Sequence, residues 1–187
     1  MWIRWRSDAK FFEQLARIDR ECMMAYRRAG CRRCGGPLHH ADYPRKPRGW
    51  LATAGEAMEK RFSLCCGRCR KRVTPPSVRF LGRKVYFGAM VMVASIIWMI
   101  TAVVGRLVAD VPVRTVQRWM GWWRQVMPAT EFWRAAAGQF PPPPPEHCRL
   151  PLSLVERFGG DETERILKAL ALLAPLTTRS APGLRVA

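Results

Sequence analysis

Two Cys-x-x-Cys steps carry the most specific chemistry in this chain: Cys31-Arg-Arg-Cys34-Gly-Gly and Cys66-Gly-Arg-Cys69-Arg-Lys. A step of this spacing closes a tight turn, so two thiolates and the backbone N–H groups after them face one point. Two such steps supply four sulfurs, which satisfy Zn²⁺ tetrahedrally and leave no open position for a substrate. The spacing therefore predicts a structural zinc on Cys31, Cys34, Cys66 and Cys69. The register stays open, because Cys65 stands beside Cys66 and offers a competing frame, and His39 and His40 are candidate substitutes. Reduced core cysteines or a disulfide pair are the plainer alternative. Seven cysteines, an odd number with four in metal spacing, point to a reducing compartment, hence a cytoplasmic location, rather than a secreted disulfide framework.

The second chemical signal is charge. Lys and Arg number 32 against 14 Asp and Glu, a formal net charge of +18, and arginine supplies most of the cation. An excess this large implies a polyanionic partner, and the planar guanidinium fork suits phosphates and guanine edges. The run Arg68, Arg70, Lys71, Arg72 concentrates charge on the second knuckle as a candidate phosphate contact.

These groups need elements to hold them. The apolar spacing of Phe11, Leu15, Ile18, Cys22 and Tyr26 predicts an amphipathic helix from Ser7 to Ala29, capped by Ser7 or Asp8 and ended by Gly30. The Met1-Trp-Ile-Arg-Trp-Arg start is too short and too charged to read as a signal peptide. Between the knuckles, a proline-rich stretch from Pro37 to Gly49 reads as an arm or irregular hairpin. Arg61-Phe-Ser-Leu leads into Cys66 as a strand, and Arg72-Val-Thr leaves it. Strand, knuckle and strand make a small zinc ribbon whose folding energy comes largely from the metal.

Val85 to Gly105 is a run without a charge. Its length allows a membrane span, but the expectation is two buried helices divided around Ser95 to Met99. Next, Ala102 to Val108 reads as a short helix, Ala109 to Pro112 as a turn, and Val113 to Arg124 as a second helix. In a helix-turn-helix the second helix enters the major groove. Val113, Val116 and Met120 mark its inner face, and Arg114, Thr115, Gln117, Arg118 and Arg124 its outer side. Arginine can read guanine there, and glutamine adenine. Trp119, Trp122 and Trp123 are assigned to packing. Pro141 to Pro145 is a stiff spacer. Two short helices follow, and Ile166, Leu167, Leu170 and Leu173 give the second a face that needs covering, by this domain or by another subunit. Residues from Thr177 onward are expected to fray.

The order of these elements resembles the N-terminal region of bacterial insertion-sequence transposases, over roughly residues 30 to 125. In that family a zinc ribbon precedes a helix-turn-helix, and a DDE-type nuclease domain follows. The resemblance implies the DNA-recognition half alone. After Trp133 no room is left for a nuclease sheet, and the carboxylates there do not alternate on strands as a two-metal site needs. A phosphate-cradling glycine loop and a Gly-x-Ser-x-Gly elbow are both missing from the sequence. His147 and Cys148 are adjacent, a poor base–nucleophile geometry, so no enzyme is expected.

The expected fold is mainly α with a small β zinc ribbon followed by a helix-turn-helix bundle. Its divisions are an N-terminal helix (1–30), the ribbon (31–80), the helix-turn-helix region (81–140), a polyproline linker (141–149) and C-terminal short helices (150–187). The expected partners are double-stranded DNA, a transposase or integrase encoded nearby, and a second copy through the C-terminal apolar helix. A transcription regulator unrelated to transposition, or a membrane-anchored zinc-ribbon protein, would account for the same sequence.

Overall fold

A computed structural model describes residues 9–45, 48, 58–81, 86–101, 111–138 and 149–178. Helix α1 runs from Ala9 to Ala29. Its apolar face falls into two parts: Phe11, Phe12 and Leu15 enter a large helical core, whereas Met23 enters a small core around the cysteines. Gly30, at φ 75°, ends the helix by donating its N–H to the Arg27 carbonyl. The expected caps, Ser7 and Asp8, lie outside the described residues.

The cysteine-bearing region carries short antiparallel strands. Strands β1 (Leu38–His40), β4 (Leu64–Cys66) and β5 (Arg72–Val73) form one sheet in the order β1-β4-β5. Strands β2 (Tyr43–Pro44) and β3 (Lys60–Arg61) pair beside it. Leu38 stands opposite Cys66, and His39 opposite Cys65. Among the described residues the core here is Met23, Cys31, Leu38, Leu64 and Cys66, with partly buried residues around it. Apolar burial on this scale is too little to hold a fold without a staple.

The helical part is built around α2 (Gly88–Thr101), which is apolar on every side and buried from Gly88 to Ile97. A helix of this kind must be covered all round. Helix α3 (Val113–Gly121), continued by a π-helical turn at Trp122–Val126, packs on it, as does α6 (Glu162–Leu173). Between them lie α4 (Glu131–Ala137) and the single turn α5 (Leu152–Val155). Thr130 caps α4 by accepting from the Trp133 N–H, and Asp161 caps α6 by accepting from the Glu164 N–H. The molecule is thus mainly helical, with a small antiparallel sheet and a cysteine cluster.

Two expectations need correction. The apolar run does not break around Ser95–Met99; α2 is continuous there. The reason is that Ser95 finds its partners without disturbing the helix. Its hydroxyl donates to the Val91 carbonyl at 2.7 Å and accepts from Trp123 Nε1 at 3.1 Å. Among the described residues no helix is long and apolar enough to cross a bilayer. Finally, Thr177 and Thr178 are anchored rather than frayed. The Thr177 hydroxyl accepts from the Ser77 N–H at 2.9 Å, and the Thr178 hydroxyl donates to the Thr74 carbonyl.

The apolar face of α6 is also already covered. Ile166, Leu170 and Leu173 are buried in the chain's own core, and Leu167 packs against it. The first helix of the expected helix-turn-helix, Ala102 to Val108, and the proline run at Pro141 to Pro145 lie outside the described residues.

Candidate metal centre

The two knuckles are built alike. In the first, the Gly35 N–H donates to the Cys31 carbonyl at 2.7 Å, and the Cys31 N–H donates to the Gly36 carbonyl at 2.9 Å. In the second, the Arg70 N–H donates to the Cys66 carbonyl at 3.0 Å, and the Cys66 N–H to the Lys71 carbonyl at 3.0 Å. Both turns close through a left-handed residue directly after the second cysteine, Gly35 at φ 68° and Arg70 at φ 59°. Glycine occupies that conformation without strain, and arginine does not. Gly36 meets a different constraint: a Cβ there would sit 2.9 Å from Arg68 Cβ and 3.1 Å from the Cys66 sulfur.

This pairing brings Cys31, Cys34, Cys66 and Cys69 together, with all four sulfurs within 4.8 Å of one another. Cys31 and Cys69 are 3.6 Å apart, and Cys34 and Cys66 are 3.5 Å apart. A disulfide would need about 2.05 Å. Four thiolates at about 2.3 Å from one ion stand about 3.8 Å from each other, so the cluster fits a tetrahedral metal. The sulfurs differ in how readily they ionise. Backbone N–H groups, chiefly that of Cys69, then that of Arg68, bring Cys66 down to about 6 against the opposing effect of burial. Cys31 is lowered by the N–H groups of Arg33 and Cys34. Cys69 is pushed up to about 11: the Lys71 N–H lowers it, but burial and hydrogen bonds to Cys34, Cys66 and Cys31 outweigh that donor.

The competing ligands fall away by strand geometry. Successive side chains of β4 point to opposite faces, so Cys66 faces the cluster and Cys65 faces away. The Cys65 thiol donates to the Arg70 carbonyl at 3.6 Å. His39 stands opposite Cys65 and lies over Gly67, where a Cβ would meet its Nε2 at 2.9 Å. His40 Nε2 is 3.4 Å from Arg27 Nη1.

The predicted cationic residues divide into two groups. Arg68 donates to the Cys34 carbonyl at 3.4 Å, and Arg72 donates to the Ala41 carbonyl at 2.8 Å and lies over the Tyr43 ring. Arg68 therefore braces the first knuckle, and Arg72 the strands beside it. Arg70 and Lys71 are exposed at the tip. On α3, Arg114, Gln117 and Arg118 are exposed, and Arg124 follows on the π turn. Val116, Trp119, Met120 and Trp123 are buried beneath them. Two assignments on this helix change sides. Thr115 is only 9% exposed, because it shares the face of Trp119 four residues on, and its hydroxyl accepts from Arg118 at 3.3 Å. Val113, expected inside, is 47% exposed.

Sequence reasoning missed a buried charge cluster. Asp19, on the inward face of α1, accepts from Arg79 Nε at 2.7 Å, from the Val78 N–H at 2.7 Å and from the Ser77 hydroxyl. Arg79 has no exposed surface, and its guanidinium lies 4.4 Å from the Phe62 ring centre. Arg61 is buried close by and donates to the Pro75 carbonyl; burial lowers its pKa and Asp19 opposes that shift. The available signal was position: Asp19 lies four residues after Leu15 and four before Met23, on the apolar stripe.

Comparison with models of protein families, with curated proteins and with solved structures finds no match to this chain.

Proposed function

We propose that the chain is a cytoplasmic DNA-binding protein, with zinc holding the knuckles as a zinc ribbon and α3 acting as the recognition helix of a helix-turn-helix. Its biological role is that of an accessory or regulatory protein of a transposable element, working beside a transposase or integrase that performs the chemistry. The observation that carries this reading is the outer face of α3. It presents Arg114, Gln117, Arg118 and Arg124 to solvent over a buried aromatic face, and the segment from Val113 to Val126 contains no carboxylate. Among the described residues, none of the ion pairs involves an arginine of this face. A rigid helix with uncompensated guanidiniums and an amide is suited to a major groove.

The donor set supports the metal assignment. Four thiolates in tetrahedral spacing leave no coordination site for substrate, so zinc here is structural. Its role is to fix the tip on which Arg70 and Lys71 stand, where they neutralise backbone phosphates. Arg70 keeps a strained conformation at the place where the first knuckle uses glycine, which argues that its side chain has a use.

Salt titrations on a selected and a random duplex test this. Arg70→Ala with Lys71→Ala should weaken both by the same factor and reduce the salt slope by about one unit per lost contact. Arg114→Ala or Gln117→Ala should cost about 1–3 kcal/mol on the selected duplex and almost nothing on the random one. Helix variants that bind both duplexes as the parent does would remove the reading role from α3.

A further inference from the structure

A second surface lies beside the knuckles. The last turns of α1 and the first knuckle border a groove of about 410 Å³, with Ala25, Tyr26, Ala29 and Val73 among its lining residues. Ala25 and Ala29 are exposed and one helical turn apart, so the helix surface is low there. The Tyr26 ring forms a firm wall, with the Arg32 guanidinium 5.4 Å from its centre. The interior of the groove is overwhelmingly apolar, yet Arg32, Arg33 and Lys71 border it and, among the described residues, no carboxylate does.

These two properties together specify an occupant. The volume lies within the range that encloses bulky apolar groups, and an apolar interior rewards a side chain that leaves water. A phosphate would find donors only at the border and would lose hydration against the apolar interior, so it does not fill the groove. The cationic border selects negative charge on either side of the anchor, and steers its approach. We propose that this groove docks an acidic peptide segment of a partner protein. An aromatic or aliphatic side chain of that segment seats over Ala25, Ala29 and Val73, and its flanking carboxylates pair with Arg32 and Arg33. This function is separate from DNA reading by α3 and does not depend on it.

The test uses the zinc-loaded full chain and a short fluorescein-labelled peptide in which glutamates flank a Trp-Leu pair. Its control carries serines in place of Trp and Leu. Anisotropy should show binding of the first peptide and at least about tenfold weaker binding of the control, as for loss of an aromatic anchor. Ala25→Trp fills the groove without changing charge and should weaken peptide binding by at least about tenfold while leaving duplex binding unchanged. Arg33→Glu, which reverses charge at the border, should weaken peptide binding in the same way. Retained zinc and an unchanged melting profile show that either variant is folded. The proposal is overturned if both peptides bind equally, if neither binds, or if folded Ala25→Trp binds the peptide as the parent does. It is also overturned if Ala25→Trp loses duplex binding together with the peptide, which would assign the groove to DNA. Failure of α3 to read DNA would leave all of the peptide results unaffected.

Discussion

At the scale of single residues, the two knuckles form a matched pair with one deliberate difference, and that difference can be tested. Arg70 stands at φ 59° where Gly35 stands in the first knuckle. Arg70→Gly should therefore raise the stability of the zinc-loaded protein by up to about 1 kcal/mol, read from thermal melting, even as it weakens binding to all duplexes. The ligand register gives a second test. Metal analysis should find one zinc per chain in the parent and in Cys65→Ser, and substoichiometric zinc in Cys66→Ser; the reverse pattern would put Cys65 in the site. Proton release gives a third. Without metal at pH 7, Cys69, at about 11, keeps its proton, whereas Cys66, at about 6, has lost its own. Zinc needs thiolates, so its uptake at pH 7 should release the Cys69 proton. Below about pH 6 Cys66 is protonated as well, so affinity falls as pH falls and does so more steeply there. Calorimetric zinc titrations in two buffers of different ionisation enthalpy should give different apparent heats; identical heats would contradict the thiol assignment.

At the scale of elements, α1 is held to the segment after β5 by one buried carboxylate facing two buried arginines. Asp19→Asn keeps the shape but removes the carboxylate charge that faces the buried Arg61 and Arg79. The expected loss is about 3–5 kcal/mol in denaturant unfolding, and a loss below about 1 kcal/mol would mean that the cluster relaxes into water. This contact also marks what the sequence could and could not convey. The cysteine steps are legible because ligand geometry is local: four residues fix each turn, and two turns fix the ion. Asp19 and Arg79 lie 60 positions apart, and a carboxylate on an arginine-rich helix resembles any solvated charge. The continuity of α2 was hidden for a related reason, since the partner that quiets Ser95 is Trp123 on another helix. Thr115 was misplaced because its methyl and hydroxyl let it serve either face. Helical spacing from Trp119 would have placed it inside.

At the scale of the whole molecule, two cores share one helix. The small core contains two of the cluster's cysteines, Cys31 and Cys66, whereas the large one contains Trp119, Trp123, Trp133 and α2 from Ala89 to Ile97 except the polar Ser95. Stripping the metal with a chelator should therefore abolish hydrogen-exchange protection in β1, β4 and β5 while Val91–Ile97 stay protected. Simultaneous loss in both regions would show a single cooperative unit. The anchoring of Thr177 and Thr178 has a consequence for how the chain is made. Their partners, Ser77 and Thr74, were synthesised 100 and 104 residues earlier. A growing chain can capture metal once Cys69 has emerged, and Asp19 can take its partners at Ser77 and Val78 soon after, but the Ser77 N–H and the Thr74 carbonyl must wait for Thr177 and Thr178, beyond α6. In that interval the segment after the sheet is held by Asp19 without its C-terminal contacts, and ribosomes stalled in this window should yield chains that hold zinc yet are cut by protease near Thr74 to Ser77 faster than the finished protein.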